Sequence, residues 1–175
     1  MFLNKTKLFL VISICLIFFF LTYHDVKSQE VKIISGVAKV IDGDTIRIDK
    51  KKIRLFGIDA PEIKQKCQRP WLTFSFLTFN KNYPCGEISK LKLKNHINNK
   101  FITCKSSGKD RYKRFIAECF KDKRNINSWM VRNGHAVAYK RYSKKYLAYE
   151  NIAKDDKQGL WSGTFEMPWE WRKKN

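Results

Sequence analysis

Apolar and polar residues alternate from Val31 to Val40 and run into Asp42-Gly43, a tight-turn pair, which predicts a strand ending in a turn. Thr45 to Ile48 alternates again. Asp49-Lys50-Lys51-Lys52 is a polar reversal, and Ile53 to Ile58 resumes the strand pattern. Three short strands in succession predict a meander, followed by a loop that Pro61 opens. Ile63 to Pro84 has no clean period and is read as either a short helix or a strand pair. Its aromatic residues, Trp71, Phe74, Phe76, Phe79 and Tyr83, are expected to pack over the barrel rather than to stack bases.

Gly86 to Asn98 predicts a helix with Ile88, Leu91, Leu93 and Ile97 on its apolar face. Phe101 to Cys104 is a strand, Ser106 to Lys113 a polar turn, and Phe115 to Phe120 the returning strand. Asn127 to Val131 begins a helix capped by Asn125 and ended by Asn133-Gly134. Ala136 to Tyr139 is short and extended. Lys144 to Lys157 is an amphipathic helix carrying Leu147, Ile152 and Ala153 and ended by Gly159. The tail, Met167-Pro168-Trp169-Glu170-Trp171, is expected to dock. This order predicts a mainly β, α+β domain: a five-stranded barrel with about three helices, of the kind that binds nucleic acid on one face and at its loop ends.

Charge sharpens that expectation. The 175 residues contain 36 Lys and Arg against 16 Asp and Glu, a formal charge of +20. Such an excess favours a polyanionic partner, nucleic acid before an anionic membrane surface. At the N-terminus, Lys5 and Lys7 precede an apolar run from Leu8 to Leu21, which reads as a secretory signal over residues 1–28 with cleavage after Ser28. The domain then occupies 29–175, and the product is periplasmic or secreted. The competing reading is an uncleaved segment that anchors the chain in a membrane. Cys15, within the apolar run, does not look like a lipoprotein cysteine. In an oxidising compartment Cys67, Cys85, Cys104 and Cys119 predict two disulfides. Three pairings are possible, and sequence proximity favours Cys67–Cys85 and Cys104–Cys119, each worth about 3 kcal/mol in the chain-entropy view. No CxxC spacing points to zinc.

The candidate chemistry is an acidic knot in this basic chain. Asp44 and Asp59 fall at adjacent strand ends and are hard oxygen ligands, suited to calcium with the Ala60 carbonyl completing the set. Glu62 lies two residues further on, in reach of a water molecule. Arg54 and Arg114 would face the same mouth, where two guanidiniums and a cation could neutralise a phosphate under attack. Asp42 and Asp110 read as turn residues, and Glu87 and Glu118 as surface acids. His24, His96 and His135 stand apart from the knot, which argues against histidine-based cleavage.

The ordered set Asp42-Gly43-Asp44-Thr45, Arg54 to Glu62 and Asp110-Arg111-Tyr112-Lys113-Arg114 resembles the staphylococcal nuclease family. The resemblance runs from about Gly36 to Trp161, through Asn127 to Gly134, Ala138-Tyr139 and Gly159-Leu160-Trp161. It implies an OB-fold barrel and calcium-dependent hydrolysis of DNA and RNA, with single strands preferred and 3′-phosphate ends left. It implies Asp44, Asp59 and the Ala60 carbonyl as Ca2+ ligands, Glu62 as base or water-orienting group, and Arg54 and Arg114 as phosphate clamps. Arg111, Tyr112 and Tyr139 resemble substrate-contacting positions. No obligate protein partner is implied. The alternative is a barrel that grips nucleic acid without cutting it. Three departures stand out: Lys113 where many relatives carry Gly, Ala60 in place of Thr, and a longer segment over 63–84. If the turn at 113 needs a left-handed residue, Lys113 is strained there.

Overall fold

Every second residue of the first strands turns inward, as alternation requires. In the computed structural model, which describes residues 31–175 and, of the N-terminal segment, Ser13 alone, Ile34 and Ala38 point into the core from strand β1 (Lys32–Val40). Ile46 and Ile48 do so from β2 (Thr45–Ile48), and Ile53 and Leu55 from β3 (Lys51–Leu55). The signal segment expected over 1–28 lies outside the described residues, Ser13 excepted. Two longer strands, β7 (Phe101–Lys109) and β8 (Phe115–Lys121), complete the sheet. Its order is β3-β2-β1-β7-β8, and a parallel pairing of β3 with β8 closes it into the expected five-stranded OB-fold barrel. A two-residue strand β9 (Arg124–Asn125) turns back on β8.

Four helices and one 3-10 turn surround the barrel among the described residues. Helix α1 (Cys85–Ile97) packs Leu93 and Ile97 into the core. Helix α2 (Ile126–Arg132) starts where the sequence places its cap, with Asn125 Oδ1 accepting from the Ser128 amide at 2.9 Å. The buried amide of Asn127 then locks α2 to the barrel. It donates to the carbonyls of Phe56 and Ala117 and accepts from the Cys119 amide. Helix α3 (Leu147–Asp155) carries the buried Glu150, whose carboxylate accepts from the Ala138 amide at 2.8 Å and pairs with Lys154. A 3-10 turn (Gly159–Ser162) leads to the fourth helix, α4 (Pro168–Lys174), which is the aromatic tail.

Several elements differ from expectation. The run Ile53 to Ile58 is broken at Phe56-Gly57, where Gly57 takes φ +71°. Its end becomes β4 (Ile58–Asp59), paired with β10 (Val137–Ala138). The polar stretch after Cys104 remains in β7 as far as Lys109, because a register shift between Ser106 and Gly108 lets the ladder to β8 continue. Residues 67–83 form a hairpin, β5 (Cys67–Phe74) and β6 (Leu77–Tyr83). Its aromatic residues do not cover the barrel: Trp71, Phe74 and Phe76 are 69%, 74% and 88% exposed. Only Tyr83, at the hairpin base, joins a second small apolar cluster with Cys67, Cys85, Val137 and Leu160. Beyond Gln68, whose backbone bonds Thr164, the two strands pair with each other, so nothing forces the hairpin tip onto the barrel.

Both favoured disulfides form. Cys67–Cys85 ties the hairpin base to the start of α1, with Cα atoms 5.6 Å apart. Cys104–Cys119 links directly opposed residues of β7 and β8. No helix among the described residues is long and apolar enough to cross a membrane.

On the face where α1 meets α2, His96 stacks on Trp129 with ring centroids 3.8 Å apart, and His135 tilts against the same indole. Burial, aided by the charges of Lys92 and His96, lowers the His135 pKa to about 4. The unfolded chain protonates its histidine near pH 6.5, so the stability this residue confers is complete above that pH and is lost as pH falls toward about 4. Urea denaturation at pH 7 and pH 4.5 is expected to show the pH-dependent loss shrinking by about 2 kcal/mol in His135→Gln. An equal loss in wild type and variant would remove His135 as the cause.

Candidate active site

The Asp42-Gly43-Asp44 turn joins β1 to β2 and presses its glycine against the rest of the site. A Cβ on Gly43 would lie 2.6 Å from Ala60 Cβ and 2.1 Å from Ser89 Oγ, so only glycine allows this approach. Asp42 acts as the turn residue expected of it, its Oδ1 accepting from the Asp44 amide at 3.0 Å. Burial, with the neighbouring Asp44 charge, pushes the Asp42 carboxyl up to about 6. The turn thereby aims the buried Asp44 carboxylate across the barrel mouth. There its Oδ2 accepts from the Ala60 amide at 2.9 Å and its Oδ1 from Thr45 Oγ1 at 3.0 Å.

Asp59 arrives from β4 and is fully buried. One guanidinium joins the two aspartates. Arg54 donates from Nη1 to Asp44 Oδ1 at 2.5 Å and from Nη2 to Asp59 Oδ1 at 2.6 Å. Burial pushes the Asp59 carboxyl above its ordinary range, and the adjacent Asp44 charge adds to this, while Arg172 and Arg54 oppose it. Two desolvated carboxylates within the width of one guanidinium create a strong demand for positive charge. Among the described residues, Asp44 Oδ2 and Asp59 Oδ2 each accept one hydrogen bond, which leaves each a lone pair. That donor set suits a hard cation, although no cluster of three or more His, Cys, Asp or Glu with metal-binding geometry occurs among the described residues.

Glu62 follows in the loop after β4. Its backbone is held by α1: a Cβ on Gly86 would come within 1.7 Å of the Glu62 carbonyl oxygen. Its side chain meets a residue the sequence did not flag. Arg172 of α4 donates from Nη1 to Glu62 Oε1 at 2.8 Å and to Asp59 Oδ1 at 3.1 Å, and from Nη2 to Asp59 Oδ2 at 2.7 Å. The aromatic tail signalled docking, but nothing in the spacing could show that Arg172, 113 residues from Asp59, would reach it. Tyr139, expected at the substrate, is covered by the same helix: Trp169 stacks on its ring at 5.4 Å and 15°.

Arg114 lies outside this cluster. Strand register places it on the same outward face of the β3–β8 pair as Arg54. Its Nε, however, donates to Asp110 Oδ2 at 2.7 Å, and its Nη2 lies 2.7 Å from the same oxygen in an ion pair. Asp110 Oδ1 accepts the amides of Tyr112 and Arg114, so this one carboxylate shapes the turn and parks the arginine. Although partial burial acts the other way, the hydrogen bonds and charge of Arg114 hold the Asp110 carboxyl below the usual range. Tyr112 is exposed, with the guanidiniums of Arg111 and Arg114 centred 4.8 and 5.4 Å from its ring.

Residues 52–163 match the protein family described as staphylococcal nuclease homologue. The succinoglycan biosynthesis protein ExoI of Rhizobium meliloti is 34% identical over 141 residues, covering 79% of this chain and 69% of that protein. An uncharacterized endonuclease of Escherichia coli O157:H7 is 35% identical over 144 residues, 78% of this chain and 82% of its own. The probable staphylococcal-like nuclease CAN4 of Oryza sativa is 35% identical over 134 residues, which span 75% of this chain but 23% of that longer protein.

The Asp110–Arg114 turn contains a local cost. Lys113 takes φ +63°, the left-handed conformation that L side chains adopt at a penalty. Lys113→Gly is expected to raise stability by about 0.5 kcal/mol, the relief of strain outweighing the added freedom of the unfolded chain. Lys113→Ala, which keeps the Cβ, is expected to give no gain. Thermal melts of the two variants decide the point, and equal melting temperatures would exclude backbone strain there.

Proposed function

The chain belongs to the staphylococcal nuclease family and is a nuclease hydrolase, and from that premise we propose that it cleaves the phosphodiester bonds of DNA and RNA with calcium, leaving 3′-phosphate ends. The observation that carries this reading is the convergence of Asp44 and Asp59 on the single guanidinium of Arg54, with Glu62 in contact with the same charge cluster. Asp44, Asp59 and the Ala60 carbonyl would hold the ion, which supplies positive charge to the phosphate oxygens when bound.

The remaining work falls to the chain's own groups. Glu62 accepts a proton from the attacking water, or orients it, as the water oxygen bonds to phosphorus. The bond to the 5′ oxygen breaks, and that oxygen leaves as a hydroxyl after taking up a proton. Arg54 and Arg114 present forked donors to the non-bridging oxygens, matching the growing charge. For Arg114 this requires release from Asp110, an exchange of one anionic partner for another across a short, partly exposed turn. Arg111 and Tyr112 beside it contact the substrate backbone and a base, and Tyr139, against which Trp169 stacks, is a third substrate-contacting position. The formal charge of +20 draws the polyanion in. Single strands fit this mouth best, because unpaired bases can lie against exposed aromatic rings such as Tyr112. The two disulfides support an exported, periplasmic or secreted protein. The domain is residues 29–175, released from a 1–28 signal segment.

Single-stranded DNA incubated with purified protein is expected to be degraded with calcium and spared with excess chelator. Binding without cutting in either condition would establish a grip-only barrel instead. Glu62→Gln is expected to lower turnover by at least about 100-fold while leaving nucleic-acid affinity within a few-fold. Undiminished turnover would exclude Glu62 from proton transfer.

A further inference from the structure

Resting on that reading of the site, we propose that Arg172 is a third arginine of the active site, a positioning residue that fixes the Asp59 and Glu62 carboxylates, and that the segment after residue 163 completes the catalytic centre. The match to the family ends at residue 163. The segment from Thr164 onward lies beyond the matched residues, yet it reaches Asp59 and Glu62.

The segment is woven in rather than laid on. Gln68 and Thr164 exchange both backbone hydrogen bonds at 2.9 Å. The buried Gln65 side chain donates to the Glu166 carbonyl at 2.7 Å, and its oxygen accepts from the Glu62 amide at 3.3 Å, so the backbone of Glu62 is tied to the tail by one side chain. Pro168 is buried at the start of α4, and Trp169 stacks on Tyr139. These anchors deliver Arg172 to two carboxylates at once. Its fork takes both oxygens of Asp59, and the shared Nη1 draws Glu62 Oε1 toward the same point. A planar fork fixes angles as well as distances, which a single ammonium cannot do.

Charge balance argues that Arg172 stays when the site is loaded. Asp44, Asp59 and Glu62 carry three negative charges, against which Arg54 and Arg172 set two positive ones. A divalent cation turns the remaining negative charge into one positive charge, which a phosphodiester cancels. Without Arg172 the loaded site would carry one positive charge fewer just as further negative charge develops on phosphorus. The retained arginine therefore favours turnover and weakens cation binding, and these opposite effects separate it from a structural prop.

The test compares full-length wild type, Arg172→Ala and Arg172→Lys for kcat and KM at saturating calcium, calcium affinity by calorimetry, and melting temperature. Arg172→Ala is expected to lose about 100-fold in kcat with KM within a few-fold, while binding calcium several-fold more tightly. Arg172→Lys is expected to restore the calcium affinity of wild type but less than a tenth of the lost rate, because it returns the charge without the fork. A rise in kcat for Arg172→Ala would overturn the inference and identify α4 as an inhibitory strap. Unchanged kcat, or a joint fall in rate, calcium affinity and melting temperature, would also overturn it. A wild-type chain that fails to cut nucleic acid overturns the proposed function itself, and this inference with it.

Discussion

Asp59 has no solvent exposure, and its ionised form must therefore be balanced by the protein. Much of the molecule is arranged around that requirement. Arg54 reaches it from β3 and bridges it to Asp44; Arg172 reaches it from the opposite end of the chain. The β4–β10 pairing holds the Asp59 backbone, and the β1–β2 turn is pressed close enough for Asp44 to share the same guanidinium. A cluster of acids left uncompensated at this depth would protonate or open the barrel mouth. The basic excess of the chain is in this sense local as well as global: some arginines attract a polyanion, and others are consumed in keeping the acids ionised.

The barrel was legible because its strands obey a simple rule. Ile34, Ala38, Ile46, Ile48, Ile53 and Leu55 alternate with polar residues, and alternation specifies which face is buried. Helix α2 was legible through Asn125 and Gly134, whose cap and stop chemistry is local. The hairpin at 67–83 was ambiguous because its apolar residues serve no core and so follow no burial pattern. The length of β7 was hidden by polar residues on a strand whose outer half meets solvent.

In the site, local turn chemistry again carried the information. Asp42, Asp44, Arg54 and Asp59 lie within a few tens of ångströms of chain and converge through two short connections, so their grouping followed from sequence order. The pairing of Arg114 with Asp110 is not legible in the sequence, because a turn-forming aspartate and an arginine four residues later each have an ordinary reading alone. Arg172 was missed for a different reason. Its position depends on how the chain returns from α3 through Gly159–Ser162 to Thr164, a tertiary path that no local pattern encodes.

The Cys67–Cys85 bridge encloses the whole exposed hairpin and little else. The loop therefore leaves and re-enters the domain through one covalent staple. Its length and sequence can drift over generations without altering the spacing of Glu62, Gln65 and α1 that flank it. A protease that nicks the tip leaves two pieces still joined, with Asp44, Asp59 and Glu62 on one side of the cut and helix α1 on the other. Highly exposed residues at the hairpin tip thus sit where breaking the chain separates nothing.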